Sequence, residues 1–146
     1  RLLCGGEPVH VEGFEDGYYL SPAVIEVDSN TCKLNQEEIF GPVVTLMSFD
    51  SDAEALAMAN DVKYGLSATV WTNNLKRSLR FSEQLETGIV WVNTYRMISP
   101  MVPFGGYGQS GTGREAGAES ILDYTRTKSV WINTSEAPIS DPFIMR

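Results

Sequence analysis

One histidine and two cysteines are all that 146 residues offer of the most reactive side chains. So few imidazoles and thiols make a metal cluster improbable. Basic runs are also missing. The net charge is −8, and without clustered Lys or Arg nothing can neutralise a phosphate backbone, so nucleic acid is not an expected partner. The acidity points to solubility and names no ligand. No apolar run approaches the ~18 residues needed to cross a bilayer, so neither a transmembrane helix nor a membrane partner is expected. The opening Arg1-Leu-Leu-Cys-Gly-Gly-Glu7 has no long apolar core and no initiator Met. It reads as a cut edge and not as a signal peptide, whereas Asp141-Pro-Phe143 reads as a native C-terminus. Without a secretory signal, Cys4 and Cys32 are expected to be free thiols of a cytoplasmic protein. The glycosylation-like Asn133-Thr-Ser135 then carries no weight.

What is present suits one domain with a core: 42% apolar and 21% charged residues are ordinary for a globule. Gly17–Val27 is aromatic and β-branched but broken at Pro22, which suggests one or two short extended segments. Val43–Phe49 is nearly continuously apolar, the pattern of a strand covered on both faces. Ser51-Asp-Ala-Glu54 supplies a capping box for a helix through about Asn60. Leu66–Trp71 reads as a strand, and Thr72-Asn-Asn74 caps a second helix through about Leu85. On that helix Leu75, Ser78, Leu79, Phe81, Ser82 and Leu85 share a broad face, its serines suited to close packing on a sheet. Gly88 ends it, and Ile89–Val92 is a further buried strand. This alternation predicts an α/β fold, a mostly parallel open sheet with flanking helices. Thr94–Gly113 is long, irregular and rich in Gly and Pro, which marks a functional loop. A helix near Glu115–Tyr124 and a strand at Lys128–Asn133 are expected after it, then a polar, loosely held tail, Ser135–Arg146.

Three patterns are candidates for chemistry. Gly106-Tyr-Gly-Gln-Ser-Gly111 matches a dinucleotide fingerprint, but Pro100 and Pro103 break the strand that motif requires and Thr112-Gly113 delays its helix. A tight loop holding Phe104 in place accounts better for these glycines. Cys4 or Cys32 with His10 as base would make a small Cys hydrolase, since such partners meet only in space; inert thiols and a surface imidazole are the plainer reading. Glu37 and Glu38 fit a solvated acidic turn. Glu38 is nonetheless held just ahead of Phe40-Gly41-Pro42, where a carboxylate beside a pinned aromatic is a good acceptor for a vicinal diol such as a ribose. Phe104 is either a core aromatic or a binding residue, and its loop leaves the carboxyl end of a parallel strand, where open α/β sheets bind ligands.

Taken together, Glu37-Glu-Ile-Phe-Gly-Pro-Val43, Asn60-Asp-Val-Lys-Tyr-Gly-Leu66, Gly88-Ile-Val-Trp-Val-Asn93, Pro103-Phe-Gly-Gly-Tyr107 and Ser110-Gly-Thr-Gly-Arg-Glu115 closely resemble the C-terminal part of the NAD(P)-dependent aldehyde dehydrogenase superfamily. The resemblance runs from about Gly17 to Asn133. It implies oxidation of an aldehyde by NAD or NADP through a Cys thiohemiacetal, with a Glu base for the hydrolysis that follows. It carries Glu38 to the carboxylate that binds the nicotinamide ribose and Phe40 to the aromatic beside that end of the cofactor. Phe104 becomes a ring lining the aldehyde tunnel, and Arg96, Met97 and Ile98 fall in the loop that shapes substrate choice. Arg96 could attract an acidic substrate or turn outward. The family's Gly-Gln-x-Cys nucleophile segment and its base are not in this sequence, so no catalytic residue is assigned and the isolated chain is expected to be inactive. Gly108 stands where many relatives have Lys. Residues 1–126 correspond to part of the catalytic domain and 127–146 to the oligomerisation strand and tail, which implies a homo-oligomer. A non-catalytic interaction module is the alternative.

Overall fold

The computed structural model describes residues 1–137 and residue 143. In chain order its strands are β1 (Leu2–Cys4), β2 (Pro8–Val9), β3 (Tyr19–Leu20), β4 (Ala23–Glu26), β5 (Val43–Leu46), β6 (Tyr64–Gly65), β7 (Ser67–Val70), β8 (Ile89–Val92) and β9 (Tyr107–Gly108). The α-helices are α1 (Lys33–Gln36), α2 (Asp52–Asn60) and α3 (Leu75–Gln84), and Ala118–Tyr124 forms a 3₁₀ helix. The class is α/β. Its parallel strands are divided between two ladders: β4 pairs with β5, Ala23 opposite Val43, and β7 pairs with β8, Ser67 opposite Ile89. β1 adds an antiparallel edge to β4. Antiparallel two-residue pairs join β2 to β3 and β6 to β9.

The helices form where their caps are. Ser51 Oγ accepts from the Glu54 N–H at 3.2 Å, and Glu54 Oε2 reaches back to the Asp50 N–H at 2.7 Å. Asn74 Oδ1 accepts from the Arg77 N–H at 3.1 Å to start α3. Each device is worth on the order of 1 kcal/mol. The face that α3 turns inward buries Ser78 and Phe81. Ser78 and Ser82 donate back to Leu75 O and Ser78 O, which satisfies the hydroxyls and lets the helix lie close to its sheet. Leu56, Phe81 and Leu85 form the core, with Ala55, Ala68, Val70 and Val90 packed against it. Asn60 ties the ends of the two helices together: its Nδ2 donates to Gln84 O at 2.8 Å and its Oδ1 accepts from the Glu86 N–H at 2.9 Å.

Three expectations need correction. β5 is covered on one face only: Val44 and Leu46 are 57% and 52% exposed, because within the described chain nothing packs on their side. The helix expected near Glu115 starts later and is 3₁₀, since Ala116 and Gly117 both take positive φ (59° and 66°) and break the path into it. Residues 128–133 take no regular secondary structure and pair with no strand among the described residues. The side chains of Val130, Trp131 and Ile132 are largely exposed, so a strand there lacks a neighbour to define it. The expected C-terminal sequence at 141–142 lies outside the described residues.

The surface is large. The chain exposes 12412 Å², against roughly 7,400 Å² for a self-contained globule of its mass. Among the described hydrophobic residues only Ala23, Leu56, Phe81 and Leu85 are buried. Asn60→Ala should cost roughly 1–2 kcal/mol, because it removes two hydrogen bonds that tie the ends of α2 and α3 together. Removing the surface pair of Arg77 with Asp52 (2.9 Å) by Arg77→Ala should cost less than about 1 kcal/mol. Urea unfolding of both variants checks this order, which equal losses would contradict.

Candidate functional site

The loop after β8 is built from the backbone outward. At Asn93 the chain adopts a left-handed turn (φ 52°) and leaves the sheet. The Asn93 side chain stands in for the next peptide of the ladder: its Oδ1 accepts from the Thr72 N–H and its Nδ2 donates to Thr72 O, both at 2.8 Å. Beyond it, Trp91 Nε1 donates to Met97 O at 2.9 Å. Tyr95 meets the Trp91 ring edge-on at 5.7 Å, and the Arg96 guanidinium lies over the Tyr95 ring at 6.0 Å. A turn at Ser99 closes the loop, with the Val102 N–H donating to Ser99 O at 3.1 Å.

Phe104 is fixed on the far side. Its N–H and carbonyl pair with Glu115 at 2.6 and 2.7 Å. The following Gly105 presses its carbonyl against Gly88, where an added Cβ would sit 1.7 Å from that oxygen. At Gly106 a Cβ would collide with Ser110 at 2.5 Å, and Ser110 Oγ in turn accepts from the Gly65 N–H at 3.0 Å. Arg114 Nη1 donates to Gly106 O and Gly113 O. The glycines at 105–113 thus serve close packing around Phe104, and the residues after Gly111 open no helix that could receive a phosphate.

Between these two supports lies an open cleft of about 430 Å³, lined by Gly88, Ile89, Val90 and Trp91 on one side and by Met97, Ile98, Ser99, Val102, Pro103 and Phe104 on the other. Its walls are mainly apolar, as ligand sites usually are. Of the residues expected to shape a substrate passage, Met97, Ile98 and Phe104 meet here. Arg96 does not reach the walls. Phe104 also borders a second cavity of about 520 Å³, where Ser110, Thr112, Arg114 and Asp123 supply polar groups.

Glu38 and Phe40 stand apart from this cleft, on the segment that enters β5. Glu38 is exposed, and among the described residues it makes no hydrogen bond or ion pair. Phe40 is 93% exposed and holds a positive φ of 56°, a conformation that costs a bulky L-residue roughly 1–2 kcal/mol. An amide clasp anchors the segment's start. Gln36 Nε2 donates to Asn30 O and Asp61 O, both at 2.8 Å. Asn30 Nδ2 donates to Met58 O at 3.0 Å and to Asp61 O at 2.9 Å. These amides satisfy the free carbonyls at the end of α2. Asn35 Oδ1 is buried beside them without a partner. The other end is held by the Ala23 N–H donating to Pro42 O at 2.8 Å.

Cys4 is exposed and Cys32 half-buried, both free, and no hydrogen bond joins His10 to either among the described residues. Sequence reasoning missed Trp91, Asn93 and the clasp. The Trp-Val-Asn run at the end of a strand was a usable signal for the first two. For the clasp there was none, since Asn30 and Gln36 find α2 only in space.

Two parallel strand pairs with flanking helices, and a ligand-sized cleft along β8, place the chain in the α/β class. A family model described as aldehyde dehydrogenase matches residues 1–130, and the chain belongs to that family. It is 47% identical over its whole length to a (Z)-2-((N-methylformamido)methylene)-5-hydroxybutyrolactone dehydrogenase of Acinetobacter baylyi, of which it covers 29%. Among solved structures it is similar to PnpE of Pseudomonas sp. WBC-3 in complex with nicotinamide adenine dinucleotide: TM-score 0.87, 44% identity, 98% of this chain and 29% of that one. It is also similar to a betaine aldehyde dehydrogenase of Staphylococcus aureus, with TM-score 0.89, 34% identity, and 99% and 29% covered. The chain therefore spans less than a third of the length of these relatives.

Gly88→Ala should cost roughly 3 kcal/mol by driving the Phe104 loop off β8. Gly41→Ala, where the nearest atom is 3.9 Å away and φ is not positive, should stay within about 0.5 kcal/mol. Denaturant midpoints of both variants decide it, and similar values would contradict the backbone contact.

Proposed function

We propose that this chain is the C-terminal part of an NAD(P)-dependent aldehyde dehydrogenase that converts an aldehyde to a carboxylic acid. The observation that carries the proposal is the apolar cleft along β8, walled on its other side by Met97, Ile98 and Phe104, in a chain of this family. Relatives crystallised with NAD+, such as PnpE, support the cofactor. So does an indole-3-acetaldehyde dehydrogenase of P. syringae solved with NAD+ and IAA, 41% identical with TM-score 0.83, of which the chain covers 26%.

Glu38 and Phe40 fit the cofactor's ribose and nicotinamide end. An unpaired, exposed carboxylate accepts two hydroxyl protons of a vicinal diol, and a strained, exposed aromatic ring is a surface that gains from being covered. When bound, the cofactor supplies the hydride acceptor. This chain's residues bind and orient: Glu38 holds the ribose, Phe40 covers the nicotinamide end, and Met97, Ile98 and Phe104 seat the aldehyde and exclude water. Arg96, turned onto Tyr95, belongs to the loop and attracts no substrate. The reacting thiol and the general base come from polypeptide outside this sequence.

The excess exposed area, some two-thirds more than a globule of this mass shows, is the face that the rest of the enzyme covers. We assign residues 127–146 to association between subunits, where exposed Trp131 and Ile132 would find a strand partner. Two free thiols suit a reducing, cytoplasmic setting.

The isolated chain should give no turnover of aldehyde with NAD or NADP above a buffer blank, and measurable turnover would contradict the assignment of the thiol. In the full-length enzyme, Glu38→Ala should raise KM for the cofactor about tenfold or more, the loss of a charge-assisted contact, with KM for the aldehyde little changed. An unaltered cofactor KM would remove Glu38 from the site.

A further inference from the structure

We infer that Trp91 is a positioning and specificity-determining residue for the aldehyde passage, acting through its indole N–H on the carbonyl of Met97. The inference rests on the reading of the cleft as that passage.

The segment from Thr94 to Ile98 has a single hydrogen bond among the described residues, the one from Trp91 Nε1 to Met97 O at 2.9 Å. Its path is otherwise unfavourable. Asn93 and Arg96 both take positive φ, 52° and 57°, so the chain reverses twice within four residues with no ladder to hold it. The indole sits on β8, opposite Thr69 in the parallel pair, and so on the rigid wall of the cleft. Met97 and Ile98 are on the movable wall. One N–H therefore sets the spacing between the two. The same ring also receives the edge of Tyr95 at 5.7 Å, and Tyr95 carries the Arg96 guanidinium on its own face. That stack faces Arg96 away from the passage and leaves Met97 and Ile98 to line it. Without the indole donor the ring contacts remain, but the Met97 carbonyl is free to swing and the cleft loses a fixed width.

Trp91→Phe tests this effect, because it keeps a six-membered aromatic ring in the wall while removing the N–H donor with the rest of the indole. In the full-length enzyme the variant should raise KM for a small linear aldehyde about three- to tenfold, the effect of one lost hydrogen bond. It should narrow the preference between linear and bulky aldehydes by a similar factor and leave the cofactor KM within about twofold. A merely structural role would move cofactor and aldehyde KM together. Ile98→Trp, which fills the cleft, is the control and should reject bulky aldehydes. If Ile98→Trp changes aldehyde selectivity but Trp91→Phe leaves it intact, the role of Trp91 is overturned and the passage stands. If neither changes it, the passage itself is wrong. Should Trp91→Phe fail to fold, exchange of the wild-type Trp91 indole proton decides: protection supports the bond to Met97, and free-solution exchange overturns it.

Discussion

Two bare backbones in contact hold this structure's cleft together. Gly88, at the entrance to β8, lies so close to the carbonyl of Gly105 that a methyl group between them would overlap it. That contact presses the Phe104 loop onto the strand whose far end launches the Met97 loop. Because both loops are referred to the same four-residue strand, the Phe104 side of the cleft is fixed by rigid elements, and the Met97 side is tied to them through the Trp91 indole. Asn93 and Trp91 complete the arrangement from that strand's carboxyl end, the first by imitating a peptide group opposite Thr72, the second by capturing a carbonyl.

The segment bearing Glu38 and Phe40 follows a different logic. It is short, strained at Phe40 and held only at its ends, by the amides of Asn30 and Gln36 on α2 and by Pro42 on β4. Such a segment presents its side chains to whatever approaches while its backbone stays tethered. The strain at Phe40 is tolerated because the parallel ladder begins immediately after it, with Val43 opposite Ala23.

Much of this was legible in the residues. Ser51 and Asn74 announce α2 and α3 because capping is local chemistry, complete within four residues. β7 and β8 are legible as short apolar runs, and the Pro-Phe-Gly-Gly run as a loop of close contacts, because only glycine tolerates such approach. Features that depend on distant neighbours were not. The apolar run at Val43–Phe49 predicts cover on both faces, yet Val44 and Leu46 stay open. Their pattern records a neighbour that the described chain does not contain. Lys128–Asn133 likewise has the composition of a strand but no ladder among the described residues, since pairing is a property of two segments. The late, 3₁₀ helix after Glu115 follows from Ala116 and Gly117 turning left-handed, which a good helix-former such as Ala116 does not advertise.

The surface ties these points together. With its parallel strands split between two ladders and few side chains buried, the chain has the order of a family domain without the enclosure of one. The most direct measurement is a crystal structure of the full-length polypeptide with NAD+ and the product acid of its aldehyde. The account predicts that the acid lies between Phe104 and the Met97–Ile98 backbone, with Glu38 on a ribose of the cofactor. Density for the acid elsewhere, with the β8 cleft filled by protein side chains, would contradict it.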